Sequence, residues 1–407
     1  MMHRSKRWLA PCAALAAAAV IAGCSSSSSS SSSSAASAGS TASASTGASA
    51  GASASASASS TATSGVAKAQ AEVTSLEAVT ANYPVPTASV SGVSKLSGKT
   101  VYYIPLVASI PGFVVTAATM KTALAKVGIK LQVCDGEAQP SAIAACVGQA
   151  TGANAAGIIM DSVPFGMAQN ALDAAKAKGI PIIIADQYPA TAGTANTDAV
   201  TYVPGVVDQP SQIAYWMIAS SDGKANAIVA QEADSPSSIQ YVTNSMAVYK
   251  QYCPSCTITL KSITASTSSL IASAASSAIL ANPSATYYYT EFEDSLQPTI
   301  QGIQQSSKTG IALSVAGASV DSLGLLKSGS LVQAAVAVDQ AYAGWALSDE
   351  ILRMMTKTAP VTETFPSRLF TKTNIGTIQV TTAAQASGAW FGNDSYQGTF
   401  EKLWGIG

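Results

Sequence analysis

Acidic and aromatic side chains recur just after the segments that read as β-strands. Phe113, Phe165, Tyr188 and Phe292 stand at such positions, as do Asp161, Asp186, Glu232, Glu291, Glu293 and Asp294. Flat rings beside several acceptors suit a polyhydroxylated ligand, whose C–H face packs on a ring while its hydroxyls donate to carboxylates. Each residue also has a structural reading, since loop aspartates cap helices and single aromatics fill cores. Catalytic chemistry is more restricted. The one histidine, His3, lies in an N-terminal stretch expected to be removed. Its loss leaves no Ser-His-Asp or Cys-His machinery and no His-ligated zinc. We assign no catalytic residue, no metal site and no cofactor. Composition does not exclude paired carboxylates of the glycosidase type, but no motif supports them. The run Glu291-Phe292-Glu293-Asp294 has the oxygens for a hard cation and lacks the Asp-x-Asp-x-Asp-Gly loop spacing. Beyond the N-terminus only Arg353 and Arg368 supply guanidinium groups. A neutral or cationic ligand is therefore favoured over an anionic one.

The elements that must hold these residues alternate. Val101–Val107 reads as a buried strand and Phe113–Val127 as a helix closed by Gly128. Strands follow at 129–133, 157–160 and 180–185, with helices at 141–150 and 167–178 between them. After Pro204-Gly205 the pattern restarts, with strands near 227–230, 258–262, 286–290 and 311–315 and helices between. Strands alternating with helices of ten or so residues predict parallel sheets covered on both faces. Two such sets in tandem predict an α/β protein of two Rossmann-like lobes joined by a hinge, with ligand at the carboxyl ends of the strands.

The N-terminus carries different information. Arg4, Lys6 and Arg7 precede an apolar run from Trp8 to Ile21, and the segment closes with Ile21-Ala22-Gly23-Cys24. This is the pattern of a secretory signal over residues 1–23, with Cys24 as the lipidated first residue of a mature lipoprotein. Ten serines at 25–34 open an Ala/Ser-rich stretch that reads as a disordered tether through residue 66. Residues 67–97 read as a lead-in helix and proline-containing linker. The whole chain holds 21 basic and 22 acidic residues, and removing the three basic signal residues leaves a net charge near −4. That mild value gives no footprint for nucleic acid. Of six cysteines, Cys12 and Cys24 belong to the leader region. The remaining four read as disulfides in an exported chain, with Cys134–Cys146 and Cys253–Cys256 the local choice among three connectivities. The CxxC spacing of the second pair also fits a redox motif, but it follows a helical pattern instead of opening one.

Between Gly98 and about Pro360 the order of segments resembles the type I periplasmic binding proteins, the ribose-binding-like, sugar-associated branch. The likeness is carried by Gly98-Lys99-Thr100-Val101, by Ala156 to Asp161 and by Ala171 to Ala185, reading ALDAAKAKGIPIIIA. Leu331 to Asp339 and Ala343 to Arg353 continue it. The resemblance implies a solute receptor that closes on its ligand and delivers it to an ABC permease. It implies lobe 1 over 98–205 with 340–358 returning to it, and lobe 2 over 206–338 with 368–407 as an extension. It also implies a monomer held at the outer face of the cell membrane. Position by position, it places ligand contacts at Phe113, Asp161, Phe165, Asp186, Gln187, Asn244, Glu293, Asp294 and Asp339; Tyr188 and Glu232 join them from their place after strands. The family's arginines are absent, with Gln187 and Asn244 in their places, and Asp339 replaces a hinge glutamine. Two other roles share the expected chemistry: a sensor of the same fold feeding a membrane kinase, and an exported carboxylate-based glycoside hydrolase.

Overall fold

The computed structural model describes residues 50–407 except 192, 206 and 207, with backbone alone for 50–62, 265 and 266. The signal and Cys24 lie outside the described residues. In chain order the elements begin with α1 (Ala50–Glu77), β1 (Thr100–Pro105), α2 (Pro111–Ala125), β2 (Lys130–Val133), α3 (Pro140–Gly152) and β3 (Gly157–Asp161). Next come α4 (Gln169–Ala177), β4 (Ile182–Ala185), β5 (Val200–Val203), α5 (Gln209–Ser220), β6 (Asn226–Glu232) and α6 (Pro236–Tyr252). They continue with β7 (Thr257–Ile263), α7 (Ile271–Ala281), β8 (Tyr287–Thr290), α8 (Leu296–Gln305), β9 (Ala312–Ala316) and α9 (Val320–Lys327). The last are β10 (Val332–Val338), α10 (Gln340–Thr356), β11 (Ser367–Thr371), α11 (Thr382–Ser387) and α12 (Tyr396–Leu403).

Lobe 1 is a parallel sheet of order β2-β1-β3-β4-β5, and lobe 2 a sheet of order β11-β10-β9-β8-β6-β7. Only β11 runs antiparallel to its neighbour. The two orders match once β11 is set aside. Each first strand lies between the second and third, so each lobe has a crevice where the winding reverses, at β1/β3 and at β6/β8. Ligands of open parallel sheets bind outside the strand ends at that crevice. The central strands are continuous apolar runs because helices cover both faces; every residue of β3, Gly157–Asp161, is buried. Strand β5 lies beyond the four strands expected for this lobe.

Helix α10 is the keystone of lobe 1. All fourteen residues from Ala341 to Met354 are buried, an unusual run for a helix this long. Gly344 lets it press onto α2: a Cβ there would lie 2.1 Å from Thr119 Oγ1 and 2.8 Å from the Thr116 carbonyl. Asp349 and Arg353 form a buried ion pair within this helix. Arg353 Nε donates to Asp349 at 2.6 Å, and Trp404 Nε1 donates to the other Asp349 oxygen at 2.6 Å.

The termini depart from expectation. Helix α1 starts at Ala50, inside the stretch expected to be a disordered tether, because alanine's helix propensity carries the helix back into the repeat. Its later turns dock Val66, Ala69, Val73 and Leu76 on lobe 2. The segment 368–407 does not stay with lobe 2. Trp390 and Phe391 pack there, whereas Tyr396, Phe400 and Trp404 form one stripe of α12 on the core of lobe 1. Trp404 stacks on Trp345 with ring centres 5.5 Å apart.

The chain crosses between lobes from Val203 to Gln209, at Asp339, and from Thr356 to Ser367. Two more straps run beside these, one between α1 and Val93 and one between Phe391 and Tyr396. They are tied together by Thr80 N–H donating to the Phe391 carbonyl at 2.7 Å and Val90 N–H to the Leu403 carbonyl at 2.8 Å. The Tyr83 ring lies 4.6 Å from Tyr396 and 5.1 Å from Tyr342. The disulfides are Cys134–Cys146 and Cys253–Cys256, the expected pairing, with Cα separations of 5.8 and 5.3 Å. Among the described residues no helix is long and apolar enough to cross a membrane.

Candidate functional site

The crevice of lobe 1 is built at the ends of β1, β3 and β4. Tyr103 in β1 donates its hydroxyl to Asp161 Oδ2 at 2.6 Å. Asp161 ends β3, is 1% exposed, and stands beside the carboxyl of Asp186, which follows β4; Oδ1 of each is buried with no hydrogen-bond partner in the protein. Two carboxyls so placed disfavour carrying two charges at once. Burial raises Asp161 to about 6, against the pull of Tyr103 and Asp186. Burial and then the Asp161 charge push Asp186 upward. Ser162 and Asp186 both adopt left-handed backbone, each with φ +55°. Such conformations cost energy in non-glycine residues and collect at functional sites.

Lobe 2 answers from the ends of β6 and β8 and from the start of α6. Glu291, 1% exposed, accepts from the Glu232 N–H at 2.8 Å and from the Ser238 hydroxyl. Burial lifts Glu291 to about 7, offset by those two donors. Burial lifts Glu232 to about 8, with Asp294, Glu291 and Asp234 adding to the effect. Helix α6 opens with Ser235 as N-cap, whose side chain accepts from the Ser238 N–H at 3.3 Å. Ser237, Tyr241 and Asn244 then lie along one face, at i, i+4 and i+7.

That face latches the lobes. Ser237 Oγ donates to Gln187 Oε1 at 2.8 Å and accepts from the Tyr188 N–H at 3.0 Å. The Tyr188 and Tyr241 rings meet with centres 5.3 Å apart. Asp208, at the crossing into α5, accepts from the Ser211 hydroxyl at 2.7 Å, and burial raises its carboxyl. Thus Asp161, Asp186, Gln187 and Tyr188 from one lobe gather with Glu232, Asn244 and Glu291 from the other.

Other expected contacts lie differently. Asp339 is fully buried as the N-cap of α10; Oδ1 accepts from the Ala341 and Tyr342 N–H groups at 3.0 and 3.1 Å. Its Oδ2 accepts from the Tyr83 hydroxyl at 2.8 Å, so both oxygens are committed and no ligand role is left. Phe165, partly buried, packs onto the core of lobe 1, with the Lys176 ammonium of α4 5.9 Å from its ring centre. Phe113, on the first turn of α2, is 9% exposed and belongs to none of the four apolar cores. Glu293 lies beside Ser319 and Ser322 at the start of α9, its Oε1 buried with no partner in the protein, and Asp294 is exposed. Tyr103, Asp208, Ser237, Ser238 and Tyr241 were not among the expected contacts. The α6 residues carried a readable signal, the polar i, i+4, i+7 stripe behind a Ser-Pro helix start.

Solved structures share this architecture. A sugar ABC transporter protein from Yersinia enterocolitica superposes with TM-score 0.61 at 17% identity, over 78% of this chain and 98% of that one. A 5-methylthioribose solute-binding protein from Thermotoga lettingae gives TM-score 0.60 at 13% identity, over 74% of this chain and 96% of that one. This chain has the type I periplasmic-binding-protein fold. A third likeness within that fold, at TM-score 0.57 and 14% identity, is a carbohydrate transporter protein from Acidothermus cellulolyticus holding myo-inositol; the match covers 71% of this chain and 99% of that one. No family model and no curated protein matches the sequence. In a type I binding-protein fold the gathered acids and tyrosines occupy the interlobe crevice, the position at which such a scaffold can enclose a small molecule.

Proposed function

We propose that this protein is the extracytoplasmic solute receptor of an ABC importer, enclosing a carbohydrate or similar polyol between its lobes and handing it to a membrane permease. It acts by binding and lobe closure, without bond chemistry and without a cofactor. The observation that carries the reading is the meeting of Asp161, Asp186 and Tyr188 with Tyr241, Glu232 and Glu291 across the two winding-reversal crevices. Acceptors beside rings fit hydroxyls on an apolar frame. The solved likenesses bind sugars and an inositol, which supports the same ligand class here. Two disulfides and the leader ending in Cys24 support a lipid-anchored monomer at the outer membrane face.

The test is the melting temperature of the mature chain, carrying Cys24→Ser, against sugars, polyols, nucleosides and amino acids. A ligand at about 100 times its Kd adds about 2.7 kcal/mol of stability. A saturable shift with one polyol class and no product supports the receptor. Product formation would point to a hydrolase, and no shift with any sugar or polyol would refute the reading. Co-purification with a permease supports import, and with a kinase, sensing.

A further inference from the structure

Tyr241 poses a problem of chemistry. It is 4% exposed, its hydroxyl has no hydrogen-bond partner within the protein, and it lies in the field of Asp186, Tyr188, Glu291 and Asp208. Around it, Asp161 Oδ1, Asp186 Oδ1, Asp208 Oδ1 and Glu291 Oε1 are likewise buried with no donor from the protein. The ion pairs among the described residues are Lys68–Glu72, Lys126–Glu401, Lys176–Asp173 and Arg353–Asp349, and none reaches these carboxylates. Hydroxyls alone would leave the pair dependent on a retained proton: a sugar can donate to a carboxylate but brings no positive charge to offset the second one. An ammonium group does both.

We infer that the solute carries a protonated amine on its polyhydroxylated body, the ammonium seated between Asp161 and Asp186 of lobe 1 and facing Glu291 of lobe 2. The inference rests on the receptor reading and narrows its ligand class. Without solute, burial and their mutual repulsion favour a proton on the Asp161–Asp186 pair. The ammonium takes that proton's place, and the proton leaves to solvent. The groups facing the pair are Tyr103 from β1, Tyr241 from α6, Glu291 after β8 and Asp208 before α5, with Thr116 of α2 beside Tyr103. All are acidic or neutral, so nothing there competes with the cation.

The experiment is titration calorimetry of the mature Cys24→Ser chain with matched sets: D-glucosamine, D-glucose and N-acetyl-D-glucosamine, then the galactose, mannose and aminopolyol equivalents. In at least one set the amine should bind tenfold or more tighter than its neutral and acetylated partners. Repeating that titration in two buffers of different ionisation enthalpy should show net proton release, a readout independent of any variant. Asp186→Asn and Glu291→Gln, each confirmed as folded by its melting transition, should shrink the amine preference to within about threefold. If neutral sugars bind as tightly as their amines, the inference is overturned while the sugar receptor stands. If no member of any set binds a folded protein, both fail.

Discussion

Replacing Asp339 separates a structural carboxylate from a ligand contact. In Asp339→Ala, α10 loses its N-cap, a change worth about 1 kcal/mol. The Tyr83 hydroxyl also loses its acceptor in a half-buried site, at about 1–3 kcal/mol. The sum, about 2–4 kcal/mol, corresponds to a fall of about 4–8 °C in a protein of this size. Asp339→Asn behaves otherwise, because the amide oxygen still accepts from the Ala341 and Tyr342 N–H groups and the amide nitrogen can donate to the Tyr83 oxygen. Burial raises Asp339 to about 6 from 3.8. A raised carboxyl contributes stability that is present in acid and is lost as pH climbs from its unfolded value through its folded one. Asp339→Asn does not titrate, so its stability relative to the parent should rise between about pH 4 and 6 and then level off. At 1.36 kcal/mol per unit the ceiling on that gain is about 3 kcal/mol. Differential scanning calorimetry at pH 4, 6 and 8, with ligand titration of both variants, checks this. Equal losses in both variants, or a ligand affinity changed more than about threefold in folded Asp339→Asn, would refute the capping assignment.

Ser237→Ala removes the bonds to Gln187 and Tyr188 that hold the lobes together; small-angle scattering of the ligand-free variant should show a larger radius of gyration. The whole protein should melt higher at pH 5 than at pH 8, because burial raises Asp161 and Asp339 to about 6, Glu291 and Glu350 to about 7 and Glu232 to about 8. Stability from such groups is complete below their unfolded values and declines as pH rises through their folded ones; a higher melting point at pH 8 would contradict these burials. Gly344→Val should lower the melting temperature by several degrees, since a Cβ meets the α2 backbone at 2.8 and 2.9 Å, outweighing a helix-propensity gain of under about 1 kcal/mol. Replacing Cys134 and Cys146 by serine should cost about 3 kcal/mol, as expected for a closed loop of that length, in reversible denaturation.

The repeated strand–helix order was legible because parallel strands buried on two faces leave unbroken apolar runs, such as Ile180 to Ala185. Strand β5 was not, since Val200-Thr201-Tyr202-Val203 is short and mixed and follows a polar loop. The acids at the strand ends could be read as site candidates from their position alone. Which of them cap helices could not. Asp339 and Asp186 both follow a strand, yet one meets two free N–H groups of α10 and the other meets a second carboxylate. Phe165 shows the same limit: its fate depends on where Lys176 and α4 fall in space. The i, i+4, i+8 spacing of Tyr396, Phe400 and Trp404 is that of a docked helix but does not name its lobe, because one apolar stripe fits any exposed core. Tyr241 reads in sequence as an ordinary core aromatic of α6, and only its tertiary surroundings set its hydroxyl among carboxylates.

The straps formed by the two chain ends bear on how long a captured molecule stays. Each strap is fastened at both ends, by the Thr80–Phe391 bond on the side of lobe 2 and by the Val90–Leu403 bond and the Tyr83–Tyr342–Tyr396 rings on lobe 1, so swinging the lobes apart must bend the backbone between those fastenings. That work is added to the torsion of the three ordinary crossings. Because the lobes rest latched through Ser237, a stiffer joint holds them near that arrangement, and little affinity is lost to the closing motion. The same stiffness slows escape, so the dwell time of the bound molecule lengthens.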